Sequence, residues 1–594
     1  MEEKNGGYDE STKKWWSGIM NHQRFRQYWQ SLGMVLTIDM VLRIMLGALR
    51  VINTPLLIGA DVPFVSLANI KRIMVMHPLI LGGVVLELGL IAWALIILLA
   101  ALMIGLTTVA DGQDWTQGWH QLGRAIRQVR LKTFGLLIVD FVVLTPLFSV
   151  AFRTPLLTAL RIPEFLLDYG TRKWWLTVVA ILVYAICWPL AIRYLYVWSL
   201  TNVDGLSLHQ AMLQSVTRTR HGRWKTPVGQ LATVLVSAGV LSWLVNGFLY
   251  GLQLWFQPNN RWFSTGCLVI AETVATMLCS WVLMKWTNIL VQDNDVVVAR
   301  SVMSGWTGMV LLGIVINAGL VSSQYFQLSR LPIPATIAHR GVANRNGVQN
   351  TIAVLKRTSR QYHPDYVEMD IHETRDHQFV VMHDENLRKL AGINKRPGQL
   401  TLHQLQHITI RENGQRAPIA SFDNYLAAAQ HLHQKLIVEL KTTQYDSPDV
   451  VRRFNRQYGR IMVKRYHIVH SLDYRVVHQL HDYNPRMKVL YLQAYNFTNP
   501  VTTVTGYNNE YSTLNGRFIS AAHRHHQPVY AWTVNNQGAM RQLYDQQVNG
   551  IVTDRLPELQ TTLRQARHHQ DRAHRYWNFL DPIANCPDFV KWMR

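Results

Sequence analysis

Residues 366–384 read YVEMDIHETRDHQFVVMHD. They hold two β-rich runs, YVEMDI (366–371) and FVVMHD (379–384), with seven residues between them. Successive side chains of a strand point to opposite faces, so Glu368 and Asp370 share one face and Val367, Met369 and Ile371 the other. A parallel crossover needs a dozen residues or more, so the second run must fold back on the first as a hairpin arm. The stretch therefore predicts a strand with apolar packing behind it and a carboxylate pair in front.

The same texture extends outward. TIAHR (336–340), LIVEL (436–440), HIVHS (467–471), KVLYL (488–492), RFIS (517–520), VYAWTV (529–534) and GIVTD (550–554) alternate with amphipathic stretches. Strand and helix in repetition imply a parallel sheet with helices outside. Of the nine runs, setting aside the hairpin arm leaves eight, which close an α/β TIM-type (β/α)8 barrel. The chemistry of such a barrel lies at the C-terminal ends of its strands.

Those ends are polar. His339 and Arg340 close the first run, Glu368 and Asp370 the second, His383 and Asp384 the hairpin arm, and Glu439 and Lys441 repeat the same-face spacing. Three carboxylates crowding a mouth repel one another without a cation, and oxygen donors suit a hard divalent metal, Ca2+ or Mg2+, better than zinc. A cation with an arginine and a lysine supplies the positive charge that a phosphodiester transition state needs. Two imidazoles supply an acid and a base near working pH. The bland reading makes the carboxylates salt-bridge partners of Arg340 and Lys441, and Trp532 core filling. Among the 24 histidines, His372, His377, His403, His407, His431 and His433 are expected on the surface.

Upstream of about residue 325 the chain is different. Overall 49% of residues are hydrophobic and 16% charged, and nearly all the long apolar runs lie in this half. Seven stretches reach the roughly 20 residues that a bilayer requires: 33–58, 79–106, 133–152, 174–200, 228–256, 264–291 and 306–323. The expected organisation is an α-helical multi-span membrane domain over 1–330, the barrel over 331–562 and a basic tail over 563–594. Basic residues favour the N-terminal segment and alternate loops, which places the N-terminus inside and, after seven crossings, the barrel outside. No cleavable leader is read at the N-terminus. Asp39, Arg43, Glu87, Asp140, Glu272 and Lys285 fall at or near membrane depth, Asp39 and Arg43 one turn apart; interhelical locking outweighs a polar pathway for them. The net charge of +22 without a nucleic-acid-binding motif argues for a lipid bilayer or an anionic envelope polymer as partner, and not for nucleic acid. Four cysteines form neither a disulfide framework nor a zinc spacing. The stretch RQARHHQDRAHR (564–575) reads as a solvated basic helix. Oligomeric state is not legible.

In order and spacing, IAHRGVANRNGVQNT (337–351), YVEMDIHETRDHQFVVMHDENL (366–387), LIVELK (436–441), IVHSLD (468–473) and YAWTVNNQGAMRQLYDQQVNGIVTD (530–554) resemble the signature of the glycerophosphodiester phosphodiesterase family. The upstream half is similar to the membrane domain that some bacterial members carry. The resemblance implies hydrolysis of glycerophosphodiesters to sn-glycerol 3-phosphate and an alcohol. It implies Glu368, Asp370 and Glu439 as ligands of a divalent metal and His339 and His383 as the general acid/base pair. Arg340 and Lys441 would contact the phosphate, and Trp532 would line the substrate pocket. Attack by the substrate's own glycerol hydroxyl and attack by water both remain open. Two positions depart from the family: Gln349 stands where Glu is usual, and Leu472 where Phe is usual. A catalytically silent phosphodiester sensor and a transporter with an attached processing domain are the alternatives of other classes.

Overall fold

The computed structural model describes residues 22–59, 77–111, 174–256, 260–291, 304–326, 331–443, 445–494, 504–568 and 572–580, with a few isolated positions besides. The upstream half is helical: α1 (His22–Gly59), α2 (Pro78–Asp111), α3 (Trp174–Arg193), α4 (Val197–Asn202), α5 (Leu208–Arg218), α6 (Lys225–Phe256), α7 (Arg261–Val291) and α8 (Ser304–Tyr325). Among the described residues, four helices are long and apolar enough to cross a membrane: Pro78–Gly105, Trp174–Arg193, Lys225–Phe256 and Arg261–Leu290. They fall on four of the seven expected spans. In α1 and α8 the apolar stretch is shorter, Leu32–Val41 and Thr307–Ser323, and Asp39, Arg43 and Arg50 interrupt α1. The expected span at 133–152 lies outside the described residues apart from isolated positions. None of α3 is buried against protein, although its sequence is apolar all round. Such a helix belongs in an apolar surround. Asp140 and the side chain of Arg43 also lie outside the described residues, and Lys285 is exposed.

The downstream half is the barrel. Its strands are β1 (Ala335–Ala338), β2 (Tyr366–Glu373), β3 (Phe379–Val381), β4 (Thr409–Glu412), β5 (Gln415–Pro418), β6 (Leu436–Leu440), β7 (Ile468–Ser471), β8 (Lys488–Gln493), β9 (Gly506–Glu510), β10 (Val529–Trp532) and β11 (Gly550–Thr553). The order β1-β11-β10-β9-β8-β7-β6-β2 closes through parallel β1–β2 pairing, which makes an eight-stranded parallel barrel. β3 pairs antiparallel with β2, Ile371 opposite Val381, as the short connection requires. Alternation sorts the side chains. Val367, Met369, Val438, Val469, Val489, Ala531 and Ile551 pack outward against the helices. Ile337, Ile437, Ile468, Leu490, Tyr530 and Val552 fill the barrel floor. Polar residues are left for the layer above.

One expectation fails here and another holds only in part. RFIS (517–520) is not a strand but lies in the helix Gly516–Arg524, capped by the Asn515 side chain on the Phe518 amide. Phe518, Ile519 and Ala522 form its buried face at helical spacing. The sixth barrel strand is instead β9, GYNNE, whose polarity hid it. The expected solvated basic helix over 564–575 holds only in its first part: Arg564, Gln565 and Arg567 are exposed, whereas Ala573 and Arg575 are buried. Leu556, Leu559 and Leu563 of the helix Leu556–His568 belong to the barrel core. The C-terminal helix Arg572–Leu580 buries Tyr576 among Leu249 of α6, Cys267, Leu268 and Ala271 of α7, and Phe326. The aromatic run YWNF (576–579) drives this, carrying Arg575 in with it to 2% exposure.

Arg575 binds the Tyr325 carbonyl at the end of α8. Its Nε stands 3.8 Å from Asp545 Oδ1, and Asn578 donates to Asp545 Oδ2 at 2.9 Å. Removing one partner strands a buried charge, so Arg575→Ala should cost ~3 kcal/mol or more. Limited proteolysis of the purified chain should show the barrel released earlier from the helical half; an unchanged pattern would remove this contact from the seam.

Candidate active site

The layer above the floor is built where the strands end. Glu368 and Asp370 point inward from β2, Glu439 from β6 and His470 from β7; Asp370 is in register with Glu439, and Glu439 with His470. All four are less than a tenth exposed. Ligand atoms of Glu368, Glu439 and His470 lie within 4.8 Å of one another. Asp370, expected as a third carboxylate ligand beside Glu368 and Glu439, shares their face but is held differently. Its Oδ2 accepts from Asn350 Nδ2 at 2.8 Å, and its Oδ1 faces Lys441 Nζ at 3.5 Å.

Cations balance the cluster. Lys441 Nζ also stands 3.4 Å from Glu439 Oε1, and Arg340 Nε stands 3.7 Å from Asp370 Oδ2. Arg340 adopts a positive φ of 52°, which brings its backbone N–H to Glu368 Oε2 at 2.9 Å and turns its guanidinium toward Gln349. For Asp370, burial works to raise the carboxyl, but His383, Lys441 and Arg340 outweigh it and hold it well below the usual range. Burial pushes Glu439 up to about 7, and Asp370 and Glu368 work the same way against Lys441 and His470. Lys441 is raised: burial favours its neutral form, but Glu439 and Asp370 win.

Each candidate imidazole has a carboxylate on Nδ1. His339 Nδ1 lies 2.7 Å from Asp554 Oδ1, and Asn535 Nδ2 donates to Asp554 Oδ2 at 2.8 Å. His383 Nδ1 lies 2.8 Å from Asp384 Oδ1. Burial lowers His383 to about 4, with Lys441 beside it acting in the same direction. His372, expected on the surface, is 2% exposed instead, with Nε2 3.2 Å from the His383 carbonyl. It is the last residue but one of β2, paired with Val380 of the fully buried β3, which is why the chain encloses it. Trp532 closes β10 at the mouth, half-buried, its Nε1 donating to the Asn508 carbonyl at 3.1 Å.

Gln349 is explained by a residue 63 positions away. Its Oε1 accepts from Arg340 Nη1 at 2.7 Å, and its Nε2 donates to Glu412 Oε1 at 2.8 Å, with its own N–H on Glu412 Oε2 at 3.0 Å. Glu412 ends β4, and Asn413 and Gly414 turn the chain into β5 with φ of 51° and 73°, the two positive values a tight hairpin turn requires. An acid at 349 would face Glu412 at hydrogen-bonding distance. Gln349→Glu should therefore lower activity and stability, and adding Glu412→Gln should restore much of both. The expected coupling is ~1–3 kcal/mol, read from a double-mutant cycle of thermal unfolding; additive effects would sink the pairing.

His470, Asp554, Asn350, Asn508 and Glu412 are the members of this site that sequence reading passed over. His470 stands two residues after Ile468 in a quoted strand, and Asp554 ends another. The Asn413–Gly414 turn was the one local sign that a hairpin would deliver Glu412.

Buried acids beside carboxylate-held imidazoles and two fixed cations are chemistry for phosphate esters, and the class is that of barrel hydrolases joined to a membrane domain. Residues 339–558 match the family described as "Glycerophosphoryl diester phosphodiesterase family", and residues 20–304 match "Membrane domain of glycerophosphoryl diester phosphodiesterase". The chain belongs to the glycerophosphodiester phosphodiesterase family and is an enzyme of that activity. It is 26% identical over 234 residues to YhdW of Bacillus subtilis, covering 37% of this chain and 93% of that protein. A glycerophosphodiester phosphodiesterase of Caldanaerobacter subterraneus is 22% identical over 240 residues, 37% of this chain and 93% of the relative. Among solved structures, a glycerophosphodiester phosphodiesterase from Parabacteroides distasonis aligns at 24% identity with a TM-score of 0.34, covering 40% of this chain and 98% of its own.

Proposed function

We propose that this enzyme is a metal-dependent hydrolase that cleaves glycerophosphodiesters to sn-glycerol 3-phosphate and an alcohol. It acts outside the cytoplasmic membrane on lipid-derived diesters or glycerolphosphate polymers. The observation that carries the reading is the convergence of Glu368, Asp370 and Glu439 beside Arg340, Lys441 and two carboxylate-held imidazoles. The donor set fits a divalent cation, Ca2+ or Mg2+. Burial, with the neighbouring Asp370 and Glu368, pushes Glu439 up to about 7, and Asp370 Oδ1 is buried without a hydrogen bond. Bound among Glu368, Asp370 and Glu439, the ion would neutralise phosphate charge and polarise a phosphoryl oxygen.

The chain's own groups do the rest. Arg340 and Lys441 hold the phosphate, and Trp532 walls the pocket against the glycerol or headgroup. His383, neutral at pH 7, takes a proton at Nε2 from the attacking hydroxyl while Asp384 fixes Nδ1. His339, with Nδ1 on Asp554, gives a proton from Nε2 to the departing alkoxide. A new P–O bond forms and the ester P–O bond breaks; the attacking oxygen comes from water, giving sn-glycerol 3-phosphate directly, or from the substrate's neighbouring hydroxyl, giving a cyclic phosphate that water then opens. The basic-loop bias of the helical half supports placing the barrel outside.

The test is sn-glycerol 3-phosphate release by the purified full chain from glycerophosphocholine, lysophospholipid and poly(glycerolphosphate), each with Mg2+ or Ca2+. Release from none of them with either ion would end the reading. Protease digestion of the barrel in intact cells tests the orientation.

A further inference from the structure

His470 has no role in the scheme above, and its surroundings do not suit a packing residue. It is 2% exposed, in register with Glu439 on one side and Leu490 on the other. Its Nε2 has no hydrogen-bond partner and stands 3.6 Å from Glu368 Oε1, too far for a hydrogen bond. Yet Glu368, Glu439 and His470 present ligand atoms within 4.8 Å of one another. Donors that each sit ~2.0–2.6 Å from one ion keep about that spacing among themselves. A simple ion pair would have closed the gap.

The other ring nitrogen is fixed from behind. Asn508 Nδ2 lies 3.1 Å from His470 Nδ1, and Asn508 Oδ1 is buried without a partner. A half-turn of that amide lets Oδ1 accept from Nδ1–H and turns the Nε2 lone pair onto the carboxylates. Metal-bound imidazoles are oriented in this way, by donating their second N–H.

We propose that His470 is a nitrogen ligand of the divalent ion, beside Glu368 and Glu439, and that Asn508 positions it. The inference rests on the metal-dependent reading and refines it. An imidazole in the donor set moves preference away from Ca2+ and toward the first-row transition ions, of which Mn2+ is the hardest and the one with a convenient paramagnetic signal.

The experiment is a titration of Mn2+ and Ca2+ into the metal-free full chain in detergent. Mn2+ is followed by loss of the free-ion electron paramagnetic resonance signal, and nitrogen ligation by 14N modulation in pulsed spectra. The wild-type chain should show the modulation, and His470→Gln should lose it. The Mn2+ Kd should rise at least about tenfold in that variant, as it does when ligand-orienting contacts are lost, with a smaller change for Ca2+. Retained Ca2+ binding shows that the variant is folded. Asn508→Ala, which leaves the imidazole in place, should weaken Mn2+ by ~10–100-fold. Wild-type Mn2+ binding without 14N modulation, modulation that survives His470→Gln, or an unchanged Mn2+ Kd in Asn508→Ala would overturn the proposal and leave metal dependence standing. Wild-type protein that binds neither ion would overturn both.

Discussion

His383→Ala should lower kcat by ~10²–10⁴-fold, the contribution of a positioned acid or base. KM should change far less, because the phosphate contacts proposed for Arg340 and Lys441 are left in place. His339→Ala should fall in the same range, and Asp554→Asn by less, since the imidazole remains but loses the carboxylate charge at Nδ1. The pH profile adds a readout that misfolding would not imitate. Burial holds His383 down to about 4, so it stays neutral and competent as a base from neutral pH down to about 5. The acidic limb of wild-type kcat should therefore lie near 4 and not near the ordinary histidine value of ~6.5. An acid limb at the ordinary value, or single alanine variants that retain activity, would take the proton transfers away from these residues.

Chelation should abolish activity and destabilise the barrel, more so at high pH. Glu439 is raised in the folded state from 4.5 to about 7 by burial and by the neighbouring acids. A carboxyl raised on folding contributes stability that is full below its unfolded value and is lost as pH rises through its folded value. The metal-free protein should thus lose melting temperature between about pH 5 and pH 8. Saturating cation reverses this: at a free concentration 100 times Kd it contributes ~2.7 kcal/mol. The gain should be largest above pH 7, where no proton has to be displaced from Glu439. Differential scanning of the purified chain with and without ion, at pH 5.5 and 8, measures it. Identical melting in all four conditions would mean that no cation resides among these acids.

Sequence reading reached the parts of the molecule that obey a short period. Glu368 and Asp370 share a face because strands alternate, and β3 folds back because seven residues allow nothing else. It lost β9 because GYNNE looks like a turn, whereas inside a barrel Asn509 pairs with Gln493 at 2.8 Å and the whole strand is buried. It lost Glu412 because nothing local links residue 412 to residue 349; only the fold brings an acid to the amide that stands where the family carries one. It missed the buried end of the tail because a basic run conceals the four residues behind it that pack against the helices.

The barrel is mounted at two points. Tyr325 and Phe326 lead into it, and Arg572–Leu580 comes back from its last helix to bind the same end of the bundle. A catalytic head on one flexible stalk sweeps a volume set by the stalk; one bolted at both chain ends does not. Spacer residues added between Phe326 and Leu331 would not lengthen the reach of this enzyme while the returning helix stays seated. The position of its mouth relative to the helical half is then a fixed dimension, set by two anchors and not by the length of one linker.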